Sequence, residues 1–266
     1  MATRFLAFML ILASMTSAWG GETARQILDR RKALDDTTRH WDDRHQRMKL
    51  KIIDRRGGER LRELEVFDAH YPGDEQKAIL FFLAPAEVKG TAFLSYTHKG
   101  RPADQGHYLP ELKRVRQITS RARSESFVGT DLSYHDLDLL QEMISWTEND
   151  ATSSLRGEET VDGTPSYVID LTPKRDDIGY QRIVLWLGKD DLVPRRLEFY
   201  EGETDPKKRI TQSQVENVGA IPVPHALEIS NPSAGSRTVI EVTDVRFNQG
   251  LKEDQFSQRY LEQGGL

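Results

Sequence analysis

The sequence predicts an antiparallel, mainly β fold, and three observations carry that expectation. Strand-length segments recur about every ten to twelve residues through the C-terminal half, separated by turns at Val161-Asp162-Gly163, Gly188-Lys189-Asp190-Asp191 and Glu201-Gly202-Glu203-Thr204-Asp205. Helical periodicity is confined to two short segments, each behind a capping box. Several strand segments are apolar in both parities, which requires cover on both faces of a sheet.

The chain opens with an expected export signal. Arg4 supplies the positive region, Phe5 to Ala13 the apolar core and Thr16-Ser17-Ala18 the small-residue site, so residues 1–20 are expected to be removed after Ala18 or Gly20. This apolar run is too short to span a bilayer, which takes roughly twenty residues. Residues 21–266 are then expected to form one domain. It begins with a helix, since Thr23-Ala24-Arg25-Gln26 has the capping-box form and Ala24, Ile27, Leu28 and Leu34 make one apolar stripe.

Arg47 to Asp54 and Leu61 to Phe67 flank an Arg56-Gly57-Gly58-Glu59 turn and read as a hairpin. Ala78 to Leu83 and Thr91 to Tyr96 follow as two buried strands around a connection ending at Gly90, with helix expected on one face and a ligand on the other. Gln105 to Leu109 and Lys113 to Thr119 form the next pair, bent at Pro110. A polar stretch leads to Ser133-Tyr134-His135-Asp136, a second capping box, with Leu137, Leu140 and Ile144 behind it. The remaining strands are Ser166 to Leu171, Gln181 to Leu187, Arg195 to Tyr200, Lys208 to Val218, His225 to Ser230 and Arg237 to Phe247. About eleven strands with two or three helices fit a closed barrel, a sandwich or an open, curled half-barrel.

Composition narrows the function. Of 266 residues, 37% are hydrophobic and 30% charged, the balance of a water-facing globular surface around a core of ordinary size. A formal net charge of −5 argues against a nucleic-acid binder. Cysteine is absent, so no disulfide framework is expected and no post-signal thiol carries a lipid anchor.

Catalytic and metal motifs are scarce. There is no GxSxG elbow, HExxH pair, phosphate loop or dinucleotide fingerprint. The seven histidines are dispersed, and the His40/His45 spacing is not a recognised ligand pattern. No catalytic residue, metal or cofactor is therefore expected. Asp131 and Asp136 are the carboxylates a hydrolase reading would use, yet Asp136 already has a capping role. Lys113, Arg114, Arg116, Arg121 and Arg123 make a basic patch suited to a lipid headgroup or an acidic partner.

The blocks Phe82 to Leu94, Tyr108 to Val115, Ser126 to Leu137 and Val193 to Tyr200 resemble the outer-membrane lipoprotein-sorting-protein-like family, exported relatives of LolA and LolB. The likeness runs from about Ala24 to Leu261 and departs from the family's pattern at Leu139 to Trp146, LLQEMISW, where a more polar segment is usual. It implies an open half-barrel of about eleven antiparallel strands, a helical lid and an apolar cavity for lipid chains. The function so implied is a periplasmic carrier of a lipid or lipidated protein between membranes. Transient membrane contact and an RND/MMPL-type inner-membrane lipid exporter as partner go with it. The candidate lipid contacts are Phe81, Leu83, Phe93, Phe127, Leu132, Leu185, Leu187, Leu197 and Phe199. The alternative is a non-carrying periplasmic adaptor that docks an exporter through the basic patch.

Overall fold

In the computed structural model, residues 21–202 and 204–263 are described, and the expected export signal lies outside them. The first element is α1, Ala24–Asp35. Its predicted capping box is formed: the Gln26 N–H donates to Thr23 Oγ1 (3.3 Å) and the Thr23 N–H to Gln26 Oε1 (2.8 Å). Ala24 and Ile27 are buried, with Leu28 and Leu34 packed beside them.

Thirteen strands follow: β1 Asp43–Ile53, β2 Glu59–Tyr71, β3 Glu75–Ala84, β4 Ala92–His98, β5 Arg101–Leu109, β6 Arg114–Gln117, β7 Ala151–Val161, β8 Thr164–Pro173, β9 Arg182–Gly188, β10 Pro194–Tyr200, β11 Lys208–Val218, β12 Ile221–Asn231 and β13 Ser236–Phe247. Between β6 and β7 lies α2, Tyr134–Glu142, which runs into a 3-10 turn over Met143–Ser145. The described chain closes with a 3-10 turn at Glu253–Phe256 and α3, Gln258–Glu262.

All thirteen strands form one sheet, in the order β6-β5-β4-β3-β2-β1-β13-β12-β11-β10-β9-β8-β7. Every pairing is antiparallel, and β6 and β7 are unpaired edges, so the sheet is open rather than a closed barrel or a sandwich. The expected count of about eleven falls short of thirteen, and the twelve strand segments named one by one match every strand but one. The element left out of the sequence reading is β7, ATSSLRGEETV, which is polar along both parities because it is an edge. Its register shifts between Leu155 and Gly157, a bulge that suits an edge facing water. The other edge, β6, is only four residues long and carries Arg114 and Arg116. Brevity and positive charge both discourage edge-to-edge pairing with a second molecule.

The two faces of the sheet are filled differently. On the inner face, α1 and α2 pack over β8 to β12 with Ile169, Ile183, Leu187 and Phe199 beneath them. Phe82, Phe93, Phe127 and Tyr134 fill the inner face of β2 to β5. On the outer face, Phe256, Tyr260 and Leu261 cover Ile79, Phe81 and Leu94. This corrects the expectation that a ligand covers one side of the Ala78 to Tyr96 hairpin: both its covers are protein. Ile79 and Phe81 meet the C-terminal segment outside, while Phe82 and Phe93 meet Phe127 inside.

α2 is bolted down by acidic side chains. Asp136 accepts from the Ser133 N–H (2.6 Å), the Tyr180 hydroxyl (2.6 Å) and the Lys208 ammonium on β11. Asp138 accepts from the Ala103 N–H (2.9 Å) on β5 and from Arg123 (3.2 Å), and Glu142 pairs with Arg175 (2.5 Å). Asp131 accepts from Ser236 and Thr238 on β13, fixing the loop that leads into the helix.

Candidate functional site

A hollow of about 620 Å³ lies between the helices and the inner face of the sheet, within the ordinary range for a small-molecule site. Its floor is apolar and comes from alternate residues of neighbouring strands. Leu171, Leu185, Leu197, Ile210, Ile229 and Ile240 all point there because successive strand side chains alternate faces and these share one parity in register. Met48 and Val242 extend the floor across the β1–β13 junction. The roof is α1, through Arg25, Leu28 and Arg31, together with Leu140, Met143, Ile144 and Trp146. The stretch that departs from the family pattern thus supplies much of the roof.

One end of the hollow is ringed by polar groups. Arg44 pairs with Asp68 (3.0 Å) and lies 4.9 Å over the Trp41 ring, which also stacks on His70 at 3.9 Å. The Gln76 amide donates to His70 Nε2 (2.9 Å), a bond that a neutral ring accepts. Burial, with Arg44 pushing the same way, lowers the His70 pKa to about 4. The unfolded chain therefore binds the proton more readily between pH 6.5 and about 4, and the folded state loses stability as pH falls through that window. Urea denaturation at pH 7 and pH 5 is expected to show a loss in the wild type that His70→Phe largely removes. An unchanged pH difference in the variant would contradict this assignment.

Of the nine candidate lipid contacts, Leu132, Leu185 and Leu197 line the hollow. Leu187 and Phe199 are on the inner face but sealed in the core beneath it, and Phe93 and Phe127 belong to an aromatic plug with Tyr134, at 5.6 and 5.5 Å. Phe81 and Leu83 correct the parity chosen for β3. Phe81 lies under the C-terminal segment on the outer face and Leu83 is exposed. Phe82, one residue along, faces inward.

The sequence reading missed Met48, Ile210, Leu227, Ile229, Ile240 and Val242. The signal was present in the i, i+2 pairs Leu227/Ile229 and Ile240/Val242, which alternate with polar neighbours on adjacent strands.

The basic patch is split. Lys113, Arg114, Arg116 and Arg121 are exposed at the β6 edge, whereas Arg123 turns inward to Asp138 and the Ala103 carbonyl. None of the five lines the hollow. Asp131 and Asp136 are likewise away from it and fully engaged in the bonds described above. Among the described residues, no three His, Asp or Glu side chains gather as a metal site, and no helix is long and apolar enough to cross a membrane.

Comparison with known proteins bears on this architecture. A family profile described as an uncharacterized protein matches residues 74–263. No curated protein matches the chain. A domain from Vibrio parahaemolyticus described as an outer membrane lipoprotein-sorting protein is 28% identical, with a TM-score of 0.79 over 89% of this chain and 97% of its own. A DUF1329 family protein from Desulfovibrio piger is 27% identical, with a TM-score of 0.80 over 88% and 97%. A LolA superfamily protein from Nitrosomonas europaea shares the fold at 20% identity and a TM-score of 0.64, over 90% and 100%. With the open antiparallel sheet and its helical cover in common with these structures, the chain shares the fold of the lipoprotein-sorting domain, the DUF1329 protein and the LolA superfamily protein, and it belongs to the family whose profile matches residues 74–263.

Proposed function

We propose that the protein is a periplasmic carrier that takes the acyl chains of a lipid or lipidated protein into the hollow and passes them between membranes. An RND/MMPL-type inner-membrane lipid exporter is the proposed donor or acceptor. The observation that carries this reading is the apolar hollow of about 620 Å³, walled by strands on one side and by α1 and the end of α2 on the other. Each buried methylene is worth about 0.8 kcal/mol, so a chain of roughly fourteen carbons leaves water with about 11 kcal/mol of driving force. Unaided desorption into water is correspondingly slow. A carrier therefore has to offer walls nearly as favourable as a bilayer and to receive its cargo by direct handover.

The two roofing helices divide that task. α2 is tied to the body through Lys208, Arg123 and Arg175, whereas the ion pairs of α1 are all local: Arg25–Asp29, Arg31–Asp35, Lys32–Asp36 and Arg30–Glu22. α1 is held by its apolar stripe and the reach of Arg30 to Tyr167. Of the two roofing helices it is the one whose displacement breaks fewer buried polar bonds, and cargo that fits beneath it shifts its position by differential affinity.

The test is native mass spectrometry of the purified protein, with uptake of a fluorescent fatty acid as the second readout. Co-purified lipid or saturable uptake is expected. A protein that is empty by mass and takes up no fatty acid overturns the carrier reading.

A further inference from the structure

Because its strands alternate in direction, the sheet carries the β1/β2, β3/β4 and β5/β6 turns at one end and the β2/β3 and β4/β5 turns at the other. Tyr71, Asp74, His98 and Lys99, which rim the hollow, belong to the second end. None of the three turns at the first end contributes to it.

The first end carries positive charge that nothing answers. Arg55, Arg56, Lys89, Lys113, Arg114 and Arg116 are all exposed, and among the described residues they make no ion pair. Elsewhere cations such as Arg30, Lys77 and Lys189 sit 2.9, 2.6 and 2.7 Å from a carboxylate. The carboxylates near the six are mostly engaged. Asp54 accepts from the Arg56 and Gly58 N–H groups (2.8 and 3.0 Å), Glu59 faces Lys51 (3.5 Å) and Glu87 faces Arg62 (3.8 Å), which leaves Glu63 and Glu111. In a chain with a formal charge of −5, this is a segregated positive end.

Apolar side chains stand among these cations. Five large hydrophobic side chains are exposed among the described residues, and three of them, Leu61, Leu83 and Leu112, are here. Leu61 is near the start of β2, Leu83 near the end of β3 and Leu112 in the β5/β6 turn. Single leucines on separate turns do not build the packed pocket that anchors a partner protein. A bilayer interface is fluid, takes in scattered apolar side chains without matching their shape and brings mobile phosphates to each cation.

We propose that this end of the sheet docks on an anionic bilayer. The leucines enter the interface, the six basic side chains meet lipid phosphates, and the rim of the hollow is held away from the surface. This is a second working surface, independent of what the hollow holds.

The test is co-sedimentation with vesicles of equal parts phosphatidylglycerol and phosphatidylcholine, against phosphatidylcholine alone. Binding to the anionic vesicles is expected, and it falls as salt is raised because exposed charges are screened. A basic residue at such a surface is worth about a factor of five, so Arg114→Gln/Arg116→Gln is expected to weaken binding at least about tenfold. Arg47→Gln/Arg246→Gln removes the same charge from exposed positions on β1 and β13 and is expected to leave binding at the wild-type level. Because the chain has no cysteine, an environment-sensitive dye on Leu112→Cys or on Pro72→Cys in the β2/β3 turn reports one end at a time. The first is expected to brighten on anionic vesicles and the second to stay dim. Brightening at the Pro72→Cys end instead, equal binding to both vesicle types, or binding untouched by Arg114→Gln/Arg116→Gln overturns the proposal. Absence of binding to either vesicle also overturns it and leaves an acidic protein as the partner of these cations. Fatty-acid uptake without vesicles is expected to be unchanged in Arg114→Gln/Arg116→Gln, so this proposal and the carrier reading fail separately.

Discussion

Asp136→Ala is expected to cost about 3–5 kcal/mol of folding stability, the range for removing one partner of a buried ion pair. The Lys208 ammonium, whose side chain is only 12% exposed, is left as an uncompensated buried charge. Tyr180 loses its acceptor, and the capping box at the start of α2 loses the carboxylate that holds the Ser133 N–H. For a chain of this size the loss corresponds to a fall in melting temperature of about 6–20 °C. The double variant Asp136→Ala/Lys208→Met removes both charges and is expected to recover much of the deficit.

The pH dependence of the gap identifies its origin. Burial raises the Asp136 pKa, but Lys208, Ser133 and Tyr180 outweigh it and hold the carboxyl below its ordinary value. A depressed carboxylate contributes stability fully above its unfolded pKa of about 3.9 and loses it as pH falls through the folded value. The difference between wild type and Asp136→Ala, measured by urea denaturation, is therefore expected to be constant from pH 5 to 8 and to shrink on acidification below pH 4. A gap that persists unchanged in acid would show that the carboxylate's charge is not what stabilises α2.

The second large effect is on uptake. Leu227 and Ile240 are paired across β12 and β13, both are half-buried and both line the floor. Leu227→Trp/Ile240→Trp places two indoles side by side in the hollow, and fatty-acid uptake is expected to fall at least about tenfold, the consequence of losing roughly two methylenes of burial or more. Because the added rings enter empty space rather than a packed core, the stability penalty is expected to stay at or below the ordinary overpacking cost of about 1–3 kcal/mol. Phe81→Leu is the matched control. It lies on the outer face under Tyr260, so it is expected to lower stability while leaving uptake at the wild-type level. Equal uptake by the double variant and the wild type would place the cargo elsewhere.

Most of the architecture was legible because local chemistry and global fold agree. Thr23/Gln26 and Ser133/Asp136 both form the capping boxes their spacing predicts, and turn residues separate the C-terminal strands. What escaped was decided by tertiary cover. β7 goes unnamed among the strand segments because an edge strand wrapped in water has no apolar face to display. The apolar hairpin at Ala78 to Tyr96 was a poor guide to the site because periodicity reports that both faces are covered, not by what. There the covers are Phe127 and Phe256, whereas in β12 and β13 the floor residues Leu227, Ile229, Ile240 and Val242 alternate with polar neighbours and attract less notice. Choosing Phe81 over Phe82 was a slip of one residue, and in a strand that slip exchanges the two faces.

The meeting of β1 with β13 at the middle of the sheet governs the order in which the molecule can be assembled. The stretch from β2 to β6 and the stretch from β7 to β12 are each built of neighbours in sequence, and within the sheet they are joined through the pairing of β1 with β13. The floor of the hollow crosses that seam at Met48 and Val242, so it is complete only where β13 has paired with β1, a contact between residues nearly two hundred positions apart. A chain cut short before β13 is therefore expected to lack that floor and, on the proposed carrier reading, to take up no fatty acid.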